Sequence, residues 1–576
     1  MSTRRRNIPW SLCSLALCAL SAACGPGEDP APDMPVYMPP VVDMPVMTSP
    51  ADMPGDMNAL DLDEGADLPD YDGPLIKDNP RGLAWPNSPT QDEQTEQVVL
   101  SPPLDPLGAL DAPGYSVYLC ANEDGEELYI DGMMIGALCT ETQRARPERG
   151  EYLHLRPPED MSSGNDSFSE VHTYFHMAKI SEYFSQTLGW ERAPEHIPVV
   201  TNFQYKLTQA GALEVGGRVG WNPVDNAYYI EPDGFAGLGA APRETSALVF
   251  GQGARADYSY DTSIIYHEYT HSIIGTEAFR KDFVDLYGIN TTPRAINEGL
   301  ADFFAASFRQ DPLIGAFAFA PSANLVVRDV SIKRTCPEDV VGQYHSDGLI
   351  VASMLWHLRE VIGEDALMPL ILHALSSADM TTGFDMFARL LSAEAAIASP
   401  DIAREVNAAI EEWGLKGCDR ARPIGTFQAN VDAASSIRVP GLQDVEDPVF
   451  TDWVPGYIQF VVKPPPGKSV QLTWYMETTS ITAPPSKLDI ALKRRAPLRL
   501  STEGGVASLD EDAFFEVPIE NISAQTITFP PECLAEGDEV YLLIRNSAPR
   551  GASITFLAAY ELDVATEGRN VVSCSP

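Results

Sequence analysis

Residues 264–275 read "IIYHEYTHSIIG". Two imidazoles four residues apart, with a carboxylate directly after the first, can hold a metal ion and set a base beside it. Ile264, Ile265, Ile273 and Ile274 predict a buried helix, with Gly275 as its stop. On such a helix His267 and His271 lie one turn apart on one face, so both rings can reach a single tetrahedral zinc. Glu268 is turned away by about 100°. It can reach a water at the ion without ligating the ion itself. At this chain's low histidine content the pattern would arise by chance in roughly one such sequence per hundred.

Zinc needs a third protein ligand, and "TTPRAINEGLADFFAASF" at 291–308 offers one. Thr292 can cap a helix, Pro293 suits its first turn, and Ile296, Leu300, Phe303, Phe304 and Phe308 supply a buried side. Glu298 and Asp302 are then one turn apart and can project into one pocket. One carboxylate would ligate zinc while the other fixes a ligand imidazole from behind. The bland reading is a solvated acidic face. "HTYFH" places His172 and His176 at the same spacing but without a glutamate or a carboxylate helix downstream, which favours ordinary helix histidines. His357 in "SMLWHLRE" reads as structural, and "KRRAPLR" at 493–499 as a solvated hairpin.

The elements that must position these residues lie within 576 residues of globular composition, enough for two or three domains. The net charge of -43 argues against a nucleic-acid partner. The opening "MSTRRRNIPWSLCSLALCALSAAC" has a basic head and a short apolar stretch, a secretory signal over 1–23. Its end resembles a bacterial lipobox, with Cys24 as the acylated residue. Residues 24–85 are rich in Pro, Asp and Met and cannot bury enough apolar surface to fold, so they predict a disordered stalk. Six cysteines remain, an even number that favours three disulfides outside the cytoplasm. Pairing by neighbourhood gives Cys120–Cys139, Cys336–Cys418 and Cys533–Cys574, among fifteen connectivities. Strand-like sequence runs from about 115 to 155 and resumes before 252, with a helix between at "FSEVHTYFHMAKISEYFSQTLGW", where Phe168, Val171, Phe175 and Phe184 are helically spaced. Helical patterns fill 263–413, and strands return after Pro423 as a β-sandwich.

Four blocks across about 165–415 resemble the gluzincin metallopeptidases, most closely the thermolysin-like and fungalysin-like group. They are "FSEVHTYFHMAKISEYF", "DNAYY" at 225–229, "HEYTH" with "NEGLAD", and "YHSDGLIVASMLWHLRE". The resemblance implies an α+β metallopeptidase domain over 86–422, with a β-rich N-terminal lobe and a helical C-terminal lobe, before a sandwich over 423–576. It implies His267, His271 and Glu298 as zinc ligands, Glu268 as general base, Asp302 orienting His267, and His345 on the oxyanion. It also implies substrate pairing along an edge strand at Asn226 and Ala227. The stretch from His271 to Glu298 is longer than in thermolysin and nearer the fungalysin arrangement. Ser263 stands where thermolysin-like enzymes often carry a calcium-linked aspartate, so the sequence does not support calcium. The large inhibitory propeptide is not recognisable, and Tyr287 is a weak candidate for the oxyanion tyrosine.

The expected protein is an exported zinc endopeptidase acting on peptides or proteins. It would be monomeric, and bound to the bacterial outer membrane or cell surface only through a lipid anchor, or else secreted. A zinc aminopeptidase would need a GAMEN-type sequence, which is absent, and a shorter His-to-Glu spacing. A catalytically inactive surface-binding protein that keeps the fold is the alternative of another class.

Overall fold

The computed structural model describes residues 76–562, apart from 101–104, 106–107, 131, 191–195, 216, 233, 235–242, 320–326, 424–434, 446, 464–468, 478–487, 512, 518–524, 530–538 and 550. The expected signal, Cys24, most of the stalk, Cys533 and Cys574 lie outside the described residues.

The chain is α+β. Its first part is built on a seven-stranded mixed sheet. Tyr115–Ile130 and Met133–Thr142 form a long antiparallel hairpin, and Tyr115–Leu119 also runs parallel to Ile197–Thr201. Ile197–Leu207 runs parallel to Ala247–Gly251, and the antiparallel Ala227–Ile230 closes that side as an edge strand. Helix α1 (Phe168–Glu182) buries Val171, Tyr174, Met177 and Ile180 and touches the strand Tyr115–Ile130. Phe168 and Phe184 are buried as their spacing predicts, whereas Phe175 is only partly so. A short helix α2 (Gln209–Val215) follows Ile197–Leu207.

The folded part starts earlier than the expected boundary at 86. Arg81–Ala84 pairs with Glu96–Val99, and Leu83 and Trp85 pack with Phe168, Ala256, Tyr260 and Phe317. Composition had assigned these residues to the stalk, but two large apolar side chains suffice to hold the segment down.

Six helices then dominate: α3 (Thr262–Ile274), α4 (Thr292–Arg309), α5 (Tyr344–Ile362), α6 (Glu364–Ser376), α7 (Phe384–Ala398) and α8 (Pro400–Glu412). All of α3 except Ser272 is buried. Asp261 caps it by accepting from Ser263 N, and Gly275 ends it with φ 70°. Helix α4 differs from expectation at its start. Its N-cap is Thr291, while Thr292 is already helical. The Thr292 hydroxyl donates to Asn290 Oδ1 at 2.7 Å and accepts from Phe384 N at 3.2 Å, so it ties α4 to α7 instead of capping.

Beyond α8 the chain forms a five-stranded and a four-stranded sheet. Their first strand, Ala421–Pro423, pairs parallel with Val454–Val462, so this region begins slightly before the expected boundary at 423. Cys120–Cys139 and Cys336–Cys418 are bonded, in line with neighbourhood pairing and with an oxidising compartment. Among the described residues no helix is long and apolar enough to cross a membrane.

The helical region and these sheets are joined by a buried ion pair. Arg420 grips Asp285 with Nη1 and Nη2 at 2.7 and 2.9 Å, and Nε donates to Tyr457 O at 3.3 Å. Burial raises the Asp285 carboxyl, but the bonds from Arg420 outweigh it and hold the group below its ordinary range. Its stabilisation is therefore complete above the ordinary carboxylate pKa and is lost as pH falls through the folded value. Asp285→Ala should cost on the order of 3 kcal/mol, because it strands the buried guanidinium. Denaturant titration at neutral and acidic pH should show the deficit shrinking on acidification; an equal deficit at both would contradict the pairing.

Candidate metal centre

Helices α3 and α4 are in contact, and their facing polar side chains converge. His267 Nε2 and His271 Nε2 are 3.1 Å apart, and Glu298 Oε2 lies 3.2 and 3.5 Å from them. The three residues form a group able to hold a metal ion, with all ligand atoms within 4.8 Å of one another. The surroundings set the tautomers. His271 Nδ1 donates to Asn297 Oδ1 at 2.5 Å, which leaves Nε2 as a lone pair. His267 Nδ1 lies 2.7 Å from Asp302 Oδ1, a bent ion contact that keeps the proton on that side. His267 Nε2, His271 Nε2 and the carboxylate oxygen Oε2 of Glu298 thus converge on one place, and Oε2 is buried within ion-contact distance of both rings. Such a mixed N/O set can hold a metal ion. Burial works against charge on His267, yet Asp302 and Glu298 outweigh it and hold the imidazole up to about 10. Without an ion the anionic cradle thus holds a second proton on the ring, which a metal at Nε2 would have to displace.

Asp302 is itself held. Arg328 donates to both its oxygens at 2.8 Å, and the pair is almost fully buried. Burial raises the carboxyl, but Arg328 and His267 keep it well below the usual range and ionised. Its remaining charge is what fixes His267.

His345 enters from α5. Gln343 Oε1 is taken by Ser346 N at 2.7 Å, so its amide Nε2 donates to His345 Nδ1 at 3.1 Å. The proton of His345 therefore sits on Nε2, 3.3 Å from Glu298 Oε2 and facing the centre. The close crossing of α4 and α5 permits this approach. A Cβ on Gly348 would come within 2.8 Å of Ala295 O and 2.9 Å of Gly299 N. Glu268, on α3 between the two ligand histidines, is 6% exposed; burial is the main cause that raises its carboxyl. Such a shift suits a proton acceptor working near neutrality.

The edge strand Ala227–Ile230 contacts α3. Gly251 N donates to Asn226 O at 2.9 Å, so Asn226 faces the neighbouring strand and Ala227 presents its N–H and C=O to the open edge. Asn226 is exposed and Ala227 is buried.

The structure thus brings His267, His271 and Glu298 together, with Asp302 on His267, His345 on Glu298 and Glu268 buried beside them on α3. It adds Asn297 and Arg328, which sequence reasoning missed. Asn297 stood beside the glutamate in "NEGLAD", but "VVRDV" gave nothing to single out Arg328. Tyr287 lies elsewhere, in a cleft of about 400 Å³ with Phe283, Thr382, Phe384 and Arg420, and that cleft does not include the metal ligands. Ser263 donates to Asp261 and accepts from Gly315 N at 2.8 Å, a purely structural employment. His176 is bonded to Tyr266 and to Trp85 O, and His172 lies in an aromatic cluster with Trp85, Phe168 and Tyr260. His357 stacks on Trp413.

No protein-family model matches the chain, and no curated protein does. Among solved structures it is matched with a 4-O-methyl-alpha-glucuronidase with specificity for decorated arabinogalactans, at 9% identity and a TM-score of 0.12. The match covers 52% of this chain and 38% of that one, and a score so low carries no argument.

Removing the charge behind a ligand imidazole typically weakens metal binding about 10- to 100-fold. Asp302→Asn, and Arg328→Met through it, should show that loss in competitive zinc titration with far-UV circular dichroism unchanged. Wild-type zinc affinity in Asp302→Asn would refute the role.

Proposed function

We propose that this chain is a zinc-dependent endopeptidase of thermolysin-like architecture, exported and anchored at the cell surface through Cys24. The observation that carries the reading is the convergence of His267, His271 and Glu298, backed by Asp302 and Asn297, with Glu268 and His345 on the same centre. Filling every one of these roles favours an enzyme over a surface-binding protein that merely keeps the fold. A zinc ion held there would supply Lewis acidity, polarising a scissile carbonyl and easing the deprotonation of water.

The protein groups do the rest. Ala227 offers its N–H and C=O to an extended substrate, which adds to the sheet as a further strand. Asn226, at the head of that strand, has an exposed side chain for the same purpose. Glu268 accepts a proton from the attacking water and then delivers it to the departing amide nitrogen. His345 donates its Nε2 proton toward the oxygen on which negative charge grows. Two disulfides and the anionic composition suit work outside the cytoplasm. The chain's own sequence gives no reason to add calcium at Ser263.

Each residue should fail differently. His267→Ala or His271→Ala should lose zinc and peptide hydrolysis together. Glu268→Gln should keep one zinc per chain while turnover collapses, since only the base is gone. His345→Phe should keep zinc and lose about 100- to 1000-fold in turnover. Metal content measured beside cleavage of a peptide library checks all three. Hydrolysis at the wild-type rate by Glu268→Gln would overturn the mechanism, and zinc-loaded wild type that cuts nothing would turn the reading to a binding scaffold. Cys24→Ser should shift the protein from membranes to the soluble fraction; continued membrane association would remove the anchor.

A further inference from the structure

At the foot of α1, apart from His267 and His271, two carboxylates lie close enough for the charge of one to act on the other. Asp166 precedes the helix, and Asp257 starts the short turn Tyr258–Tyr260. Asp166 Oδ1 accepts from Tyr260 Oη at 2.6 Å and from Ser169 N at 3.1 Å. Asp257 Oδ1 accepts from Ser259 N at 2.7 Å. Among the described residues no lysine, arginine or histidine forms an ion pair with either. Burial pushes the Asp166 carboxyl up to about 6, and burial together with the charge of Asp166 pushes Asp257 up to about 8. Two ionised groups so placed call for a proton or a cation.

What points to a cation is the third member. Asn202 is fully buried and sits at an irregularity in the strand Ile197–Leu207, with φ 56°. Its side-chain amide reaches Asp166 Oδ2 only at 3.5 Å and Ser169 Oγ at 3.3 Å. The amide carbonyl Oδ1 of Asn202 and Oδ2 of Asp257 are both buried and have no hydrogen-bond partner among the described residues. Rotating the amide about its last bond would exchange these long contacts for an oxygen facing the two carboxylates. The donors are then all hard oxygens, a set that suits calcium and not zinc. Asp166 is only partly buried, which leaves a way in from solvent.

We propose that Asp166, Asp257 and the Asn202 side-chain carbonyl form a calcium site that clamps α1 to the turn leading into α3. Asp257 lies four residues before Asp261, the cap of α3, so the ion would brace the entrance to the metal helix without touching the zinc ligands. The proposal does not depend on the peptidase reading.

Terbium, a luminescent stand-in for calcium, tests the site in the zinc-loaded full chain. Trp85 and Tyr260 have ring centroids 5.2 Å apart, and Tyr260 bonds to Asp166, so aromatic excitation should light a terbium ion bound there. Emission should appear with wild type, be displaced by calcium but not by added zinc, and fall at least tenfold in Asp257→Asn and Asn202→Gly. Glycine suits the left-handed backbone at 202, so that variant removes the oxygen while sparing the fold. Wild type should also melt several degrees higher with calcium than with a calcium-selective chelator. Absence of both effects in wild type would overturn the proposal and leave a shared proton between the carboxylates. Full emission from Asn202→Gly and Asp257→Asn would overturn it too, by locating the ion elsewhere.

Discussion

The meeting of His345 with Glu298 depends on an approach of α4 and α5 closer than side chains normally allow. Glu298 is on α4 and His345 on α5, and ordinary side chains at the crossing would push the two helices apart. Gly299 and Gly348 face each other there, backbone against backbone. A glycine inside a helix costs roughly 1 kcal/mol relative to alanine. Two of them at one crossing are explained by the 3.3 Å contact between His345 Nε2 and Glu298 Oε2 that the crossing permits. The apolar sides of α4 and α5 carry the compensating energy. Ala295, Ile296, Leu300, Phe303 and Phe304 on α4 and Ile350, Val351, Met354 and Leu355 on α5 are at most 1% exposed.

Burying this much charge demands a closed chain of partners, each useless without the next. Glu298 balances the imidazoles, Asp302 fixes His267, and Arg328 neutralises Asp302. Arg328 also lies over the Phe319 ring at 5.5 Å, so its planar face is covered as well as its edge. Truncating any member strands a charge in a low-dielectric interior, which costs several kcal/mol. Charge is tolerated here only because the set is complete, and its innermost members, His267, His271 and Glu298, are the group able to hold a metal ion.

The sequence was most legible where chemistry imposes short-range spacing. "HEYTH" and "NEGLAD" each place two functional groups one helical turn apart, so periodicity alone put His267 beside His271 and Glu298 beside Asp302. The edge strand at Ala227 was legible through resemblance, and its register followed only from the sheet. Partners distant in sequence left no such trace. Arg328 stands 26 positions after Asp302 in the numbering, in a segment without helical or strand periodicity. Trp85 was hidden by its neighbours' stalk-like composition, although its carbonyl bonds His176 and its ring joins a core cluster. Thr292 misled because its type fits a cap, while tertiary contacts with Asn290 and Phe384 claimed its hydroxyl.

The two segments that supply Arg328 and His345 are fixed to the molecule by a device remote from the chemistry. Arg328 lies between α4 and α5 and His345 in the first turn of α5, and Cys336 stands between the two in the chain. That cysteine is bonded to Cys418, and Cys336 N donates to Trp413 O at 3.0 Å, so the stretch is anchored to the end of α8. Trp413 Nε1 in turn donates to Ser353 Oγ at 2.9 Å on α5, and Arg334 N donates to that same oxygen at 3.2 Å. Cys418 is two residues from Arg420, whose grip on Asp285 joins the C-terminal sheets. The disulfide, the tryptophan and the ion pair thus form one buttress behind α5. Arg328 before this anchor and His345 after it can therefore meet Asp302 and Glu298 from separate segments, because the chain between them is tied at Arg334 and Cys336.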